Sequence, residues 1–229
     1  MTTWQSPQGD LQIKAISLLG WCIAIIRIVP LFIVLFGGLL ILLLLRIFEK
    51  PLFGHKRPIT SLLTQAVCKI SLRIMGIKYQ IVGRPMTKNG AVVANHSSWL
   101  DIFTLNAAQC VYFVSKSEVA AWPGIGWLAR AAGTVFVKRD RLQAKLQSNV
   151  LSSRFQMGHK LLFFPEGTST DGQQVLPFKS ALFAALFEQS LKNIIHVQPV
   201  SVVYKAPKGS DESFYGWWGD MAFDAHFLL

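Results

Sequence analysis

The stretch from Ala15 to Leu45 is almost continuously apolar, broken by Arg27 and Pro30. Within it, Ile28 to Leu45 runs 18 residues without a charge. At helical rise that is about 27 Å, close to the ~30 Å hydrocarbon thickness of a bilayer. A helix that is apolar all round has no face for water, so this run must meet lipid or be buried. A cleaved signal peptide is the competing reading. The run is too long for one, and Arg46-Ile47-Phe48-Glu49-Lys50 stands where a small-residue cleavage site would be. An uncleaved anchor is therefore expected, with Pro30 near its start, where a proline does least harm. The shorter run Leu18 to Ile26 fits an interfacial segment or one arm of a tight hairpin.

Charge places the rest of the chain relative to that anchor. The whole chain of 229 residues is 52% hydrophobic and 15% charged, greasier than an average soluble domain, with a net charge of +11. A basic balance suits nucleic acid, anionic lipid or an anionic substrate. Residues 46–88 carry nine Lys or Arg against one acid, Glu49. Beside an apolar span, that bias puts this flank and the domain after it on the cytoplasmic side and attracts anionic headgroups. Few aromatics interleave with these cations, so no nucleic-acid partner is expected. Leu63, Ala66, Val67, Ile70 and Ile74 recur at helical spacing with Lys69 and Arg73 off the stripe, predicting an amphipathic helix that lies on the membrane or packs on the domain. The expected organisation is an anchor over 1–50, a basic amphipathic segment over 51–78 and a folded domain over 79–229. Three scattered cysteines and five histidines without ligand spacing offer neither a disulfide framework nor a metal site.

From Tyr79 onward the pattern becomes α/β. Strands are predicted at 79–82, 91–94, 111–114, 134–137, 160–164 and 197–204. Helices are predicted at 102–108, 141–157 and 181–191, with a turn and helix start at Trp122-Pro123-Gly124-Ile125-Gly126-Trp127. Such alternation argues an α/β fold with a mixed, largely parallel sheet covered by helices. In such sheets, sites form beyond the carboxyl ends of strands. The Gly124-x-Gly126-x-x-Ala129 spacing matches a dinucleotide fingerprint but follows Trp122-Pro123 rather than a strand, which argues against that use.

Two polar turns follow strands directly. In Asn95-His96-Ser97-Ser98-Trp99-Leu100-Asp101, a carboxylate stands five residues after a histidine across a strand-to-helix turn. Asp101 can then accept a bond from one ring nitrogen, fix the tautomer and favour the imidazolium that forms when the other nitrogen takes a proton. That is two thirds of a serine-protease triad, with a substrate hydroxyl free to fill the third place. A capped helix start, with Asn95 or Ser97 as N-cap, and a plain surface ion pair are the structural alternatives. The second turn is Phe163-Phe164-Pro165-Glu166-Gly167-Thr168. Gly167 lets the backbone approach a ligand, Glu166 and Thr168 can orient hydroxyls, and backbone N–H groups can meet an oxyanion. A bare strand-end turn is the alternative. A third element, Gly133 to Arg139, ends a strand in the adjacent cations Lys138 and Arg139, which suits a phosphate unless the pair is merely solvated.

These blocks, with Val197-Gln198-Pro199-Val200 as a fourth, resemble the glycerolipid acyltransferase family typified by 1-acyl-glycerol-3-phosphate acyltransferases, over about residues 76–204. The resemblance implies His96 as general base, Asp101 as its orienting partner, Arg139 on the acceptor's phosphate, and Glu166 with Gly167 shaping the acceptor site. It implies a lysolipid acceptor, acyl-CoA or acyl carrier protein as co-substrate with no bound cofactor, and a catalytic domain on the cytoplasmic face of the cell inner membrane. The leading expectation is conversion of 1-acyl-glycerol-3-phosphate to phosphatidate. Two departures qualify it. Ser169 stands where the family usually has an arginine, and Phe214-Tyr215-Gly216-Trp217-Trp218-Gly219-Asp220-Met221 resembles a lyso-ornithine-lipid acyltransferase branch, whose acceptor has no phosphate. The chain also stops at Leu229, before the further sheet and helix usual in relatives, which leaves an exposed edge strand as an expectation. A non-catalytic membrane-binding protein that keeps the fold is the alternative from another class.

Overall fold

The computed structural model describes residues 4–7, 17–138, 144–180, 183–187, 191, 195–219 and 221. The apolar run forms one continuous helix, α1 (Leu18–Phe53, 36 residues), about 54 Å long. Ser17 caps it, its hydroxyl accepting the Gly20 N–H at 3.1 Å. The hairpin expected around Leu18 to Ile26 does not form. Pro30 lies well inside the helix rather than near its start. It removes one backbone donor, and long apolar turns on both sides continue through the gap.

Helix α2 (Thr60–Ile74) packs antiparallel against α1. Gly38 of α1 lies so close that an added Cβ would come within 2.7 Å of Val67, and Arg27 reaches Gly76 just past the end of α2. At the other end, the first turn of α2 has no side-chain cap of its own. Glu49 of α1 supplies one, accepting the N–H groups of Ile59 at 2.7 Å and Thr60 at 3.0 Å while pairing with Arg46 at 3.1 Å. A carboxylate at a helix N-terminus meets both free donors and the positive end of the dipole. The inner stripe of α2, with Cys68 and Leu72, buries against Ala107 of the next helix.

The expected strand at Tyr79 to Val82 is absent. That segment has no ladder partner, its Tyr79 packs beside Cys68 and Leu72, and Val82 is 91% exposed. The sheet begins with β1 (Gly90–Ala94) and continues through α3 (Asp101–Ala108), β2 (Tyr112–Lys116), a 3-10 turn (Ser117–Ala121), α4 (Ile125–Ala132), β3 (Val135–Val137), α5 (Ala144–Gln156), β4 (Lys160–Phe163) and β5 (His196–Val200). The five strands lie in the order β3-β2-β4-β1-β5, every pair parallel. Side chains alternate between two buried faces, as a sheet covered on both sides requires. Ala91, Leu161 and Phe163 point to α5 and the 3-10 turn Ala184–Phe187, whereas Val92, Ala94 and Leu162 point to α3. The helix expected over 181–191 is represented among the described residues by that single turn. β5 is an edge strand, which is why Pro199 is tolerated in it. It ends at Val200 rather than Tyr204. The Gly124 to Gly126 turn has a packing explanation, since a Cβ on Gly126 would sit 2.3 Å from the Ala120 carbonyl oxygen.

The chain leaves β1 toward β2, and leaves β4 toward β5 on the opposite side. The loops after these adjacent strands therefore lead to opposite faces of the sheet, one to α3 and the other toward the Ala184–Phe187 turn, and the gap between such loops is the usual place for a site in an open parallel sheet. His96 follows β1 and Glu166 follows β4.

Candidate active site

The turn after β1 wraps around one carboxylate. Asp101, the first residue of α3, is fully buried. Its Oδ2 accepts the Ser97 N–H at 2.9 Å and the Ser98 N–H at 3.1 Å, and lies 2.7 Å from His96 Nδ1. Its Oδ1 accepts the Tyr204 hydroxyl at 2.7 Å. Asp101 thus closes the turn that presents the histidine as well as bonding it. Neither Asn95 nor Ser97 is an N-cap. The α3 cap position is Leu100, without a side-chain bond, and the first amide groups of the helix, at Asp101, Ile102 and Phe103, donate instead to the Ser98, Trp99 and Leu100 carbonyls.

The His96 side chain keeps 21% of its surface exposed. Its ring stacks on Phe164 with centroids 4.0 Å apart and planes 13° apart. With Nδ1 engaged by Asp101, Nε2 faces no protein partner among the described residues and is the nitrogen left to take a proton. A base held by a carboxylate on one side and an aromatic ring on its face has little freedom, which is what proton transfer at a fixed position needs.

The second turn is tied to the first. The Thr170 N–H donates to the His96 carbonyl at 3.0 Å, and the Trp217 N–H donates to the Ser97 carbonyl at 2.8 Å. Gly167 adopts φ +71°, a left-handed conformation that favours glycine, and its N–H closes the turn on the Phe164 carbonyl at 3.0 Å. Glu166 is buried, and its Oε2 accepts the Leu176 N–H at 3.0 Å. Its carboxylate therefore fastens the loop that comes next in the chain. Thr168 is partly exposed, its hydroxyl 3.4 Å from the Ser169 carbonyl. The structure thus brings His96, Asp101, Glu166, Gly167 and Thr168 together on two adjoining turns at the carboxyl edge of the sheet. Lys138 is exposed at the end of β3, three strands from β1, which is roughly 14 Å along the sheet edge. Arg139 lies outside the described residues.

Three contributors escaped the sequence reading. Phe164 was visible only as the last residue of an apolar run. Asn95 clasps both backbone groups of Val202, donating from Nδ2 to its carbonyl at 2.9 Å and accepting its N–H at Oδ1 at 2.7 Å. Tyr204 lies 103 residues from Asp101, and no spacing rule links such distant positions.

A parallel sheet with a carboxylate-backed histidine at its carboxyl edge and the far ring nitrogen open has the geometry to accept a proton from a hydroxyl. The chain belongs to the acyltransferase family, whose profile matches residues 78–203. It is 58% identical over 194 residues to a lyso-ornithine lipid O-acyltransferase of Rhodobacter capsulatus, a match covering 85% of this chain and 70% of that protein. A second protein of that name, from Rhizobium meliloti, is 33% identical over 70% of this chain and 58% of its own length. A 1-acyl-sn-glycerol-3-phosphate acyltransferase of Neisseria gonorrhoeae is 39% identical over 48% of this chain and 45% of its own. The crystal structure of the 1-acyl-sn-glycerophosphate acyltransferase of Thermotoga maritima shares the fold at TM-score 0.58 and 18% identity, covering 80% of this chain and 73% of that one.

Proposed function

We propose that the chain is a membrane-bound O-acyltransferase that moves an acyl group from a thioester donor, acyl-CoA or acyl carrier protein, to a lysolipid hydroxyl, with lyso-ornithine lipid as acceptor. The observation that carries the chemistry is His96 at 2.7 Å from buried Asp101 with its far nitrogen open. In this reading His96 Nε2 takes the acceptor's hydroxyl proton as the oxygen attacks the thioester carbonyl. The new C–O bond forms, the carbonyl oxygen becomes an oxyanion, the C–S bond breaks, and the leaving thiolate recovers the proton from the imidazolium. The step balances without a resident cofactor.

The acceptor is supported by Ser169, which offers no cation after Gly167-Thr168, and by the 58% identity to the Rhodobacter protein. The 39% match to the Neisseria protein supports 1-acyl-glycerol-3-phosphate as a second acceptor, with Lys138 and Arg139 on its phosphate. Attachment to the bilayer, with the domain on the cytoplasmic face of the inner membrane, is supported by α1, whose most apolar window has a mean hydropathy of 3.1, and by the basic flank after it. The same features support residues 1–50 as anchor, 51–78 as basic amphipathic segment and 79–229 as catalytic domain.

The test is acyl transfer by membranes carrying the chain, offered labelled acyl-CoA or acyl carrier protein with each lysolipid in parallel. His96-dependent ornithine lipid is the expected product. Product only from 1-acyl-glycerol-3-phosphate would transfer the assignment to the second acceptor. No product would leave the membrane-binding role as the reading, and an unchanged rate in His96→Ala would overturn His96 as the base.

A further inference from the structure

We propose that Tyr204 is a positioning residue for the His96–Asp101 pair, acting through the Asp101 oxygen that the histidine does not use. The inference rests on the reading of His96 as the base. The Tyr204 hydroxyl donates to Asp101 Oδ1 at 2.7 Å, while Oδ2 takes His96 and the two backbone N–H groups. Without a partner on Oδ1, the carboxylate would be fixed at one oxygen only and could turn about its Cβ–Cγ bond. With both oxygens held, its plane is set, and so is the direction in which it meets the imidazole. This second point of attachment matters because a carboxylate with one buried oxygen unbonded is costly as well as loose.

The hydroxyl is suited to this and is itself held. The Thr104 hydroxyl, 3.3 Å away, donates to the phenol oxygen in this arrangement, since the phenol's own proton goes to Asp101. Burial, then the charge of Asp101, pushes the Tyr204 phenol far above its usual range, so it keeps its proton and remains a donor. Its backbone is delivered by the residue next to the catalytic histidine. Asn95 holds both the N–H and the C=O of Val202, just beyond the end of β5. Side chains of an extended chain repeat every second residue, so fixing Val202 fixes the side on which Tyr204 emerges. The chain of control runs from Asn95 through Val202 and Tyr204 to Asp101, and returns to His96, the neighbour of Asn95. Thus the end of the edge strand is fastened to the same turn that it helps to orient.

The experiment measures kcat and KM for acyl transfer to lyso-ornithine lipid by membranes carrying the wild-type chain, Tyr204→Phe, Asp101→Asn, the double variant, and His96→Ala. Tyr215→Phe serves as control, since its ring lies 5.9 Å from that of Tyr204 and it has no bond to the pair. Tyr204→Phe keeps the ring and removes only the donor. The expected result is a kcat lowered about tenfold, the scale of one charged hydrogen bond, with KM unchanged and Tyr215→Phe like wild type. In the Asp101→Asn background the same substitution should have no further effect, because its route to His96 is already cut. Equal fractional losses in both backgrounds, a rise in KM alone, or no loss at all would overturn the role of Tyr204. Full activity in His96→Ala would instead remove the base on which it rests. If Tyr204→Phe lowers the melting temperature without moving kcat, the bond is structural only and the proposal fails.

Discussion

At the scale of single residues, one carboxylate holds the local fold together and, in the proposed mechanism, orients the base. Asp101 accepts two backbone N–H groups, one hydroxyl and one imidazole while fully buried. Replacement by Asn is nearly isosteric but exchanges an acceptor for a donor, and one of those four groups must then face an N–H. Each buried group left unmatched costs about 1–3 kcal/mol. Asp101→Asn should therefore lower the thermal midpoint of the folded domain and reduce kcat by about 10²–10⁴, the range of a lost general-base contribution. Stability unchanged alongside lost activity would show that the turn does not depend on Asp101. Ser169 is the other residue with a direct consequence. If its hydroxyl has replaced a phosphate-binding cation, Ser169→Arg should raise kcat/KM for 1-acyl-glycerol-3-phosphate relative to lyso-ornithine lipid in a competition assay. An unaltered ratio would mean that selection of the acceptor lies elsewhere.

At the scale of elements, the docking of α1 on α2 depends on Glu49 as much as on apolar contact. Helix α2 starts without a cap of its own, and a carboxylate from the preceding helix supplies it. Glu49→Ala leaves two N–H groups and the Arg46 guanidinium without that partner. A loss of about 2–4 kcal/mol is expected, read as a lower melting temperature in detergent micelles and earlier proteolysis within the 54–59 loop. A wild-type melting curve would show that packing around Gly38 and Val67 suffices. None of this is legible in the sequence, where Glu49 is a lone acid among nine cations, and its use as a cap needs the helix reversal that the fold supplies. Periodicity does reveal α2, α3, α5 and the strands, because each has a repeating apolar stripe or run. It fails at Tyr79 to Val82, where apolar residues form no ladder, and at Leu18 to Pro30, where a charge and a proline suggest a break that α1 absorbs. The turns of the proposed site are legible because chemistry, unlike packing, confines particular residue types to short spacings. The positioning groups Tyr204 and Asn95 are not, since their partners are distant in sequence.

At the scale of the whole molecule, the two ends of the sheet do different work. The carboxyl edge holds the two turns around His96, whereas the amino edge is clamped by cations. There the Arg57 guanidinium donates to the Ala131 carbonyl and the Arg154 guanidinium to the Gly133 carbonyl, both near the Tyr112 ring. His159, just before β4, packs its ring on Tyr112 and bonds through Nε2 to the His55 carbonyl at 3.1 Å, which fixes the loop between α1 and α2 over the sheet. No carboxylate among the described residues forms an ion pair with either guanidinium. Burial, then the positive charge of Arg154, lowers the His159 pKa from 6.5 to about 4. The folded chain therefore holds this imidazole neutral at pH values where the unfolded chain protonates it. Stability is complete above about pH 6.5 and is lost as pH falls toward 4, by up to about 3 kcal/mol. His159→Phe keeps a ring against Tyr112 and removes the titration, so its melting temperature should depend less steeply on pH between 6.5 and 4 than that of the wild type, whatever its absolute stability. Equal slopes for the two proteins would assign the acid sensitivity to other groups. Because this clamp lies at the edge away from His96, acid should loosen the seat of the apolar helix on the sheet without first disturbing the His96–Asp101 pair.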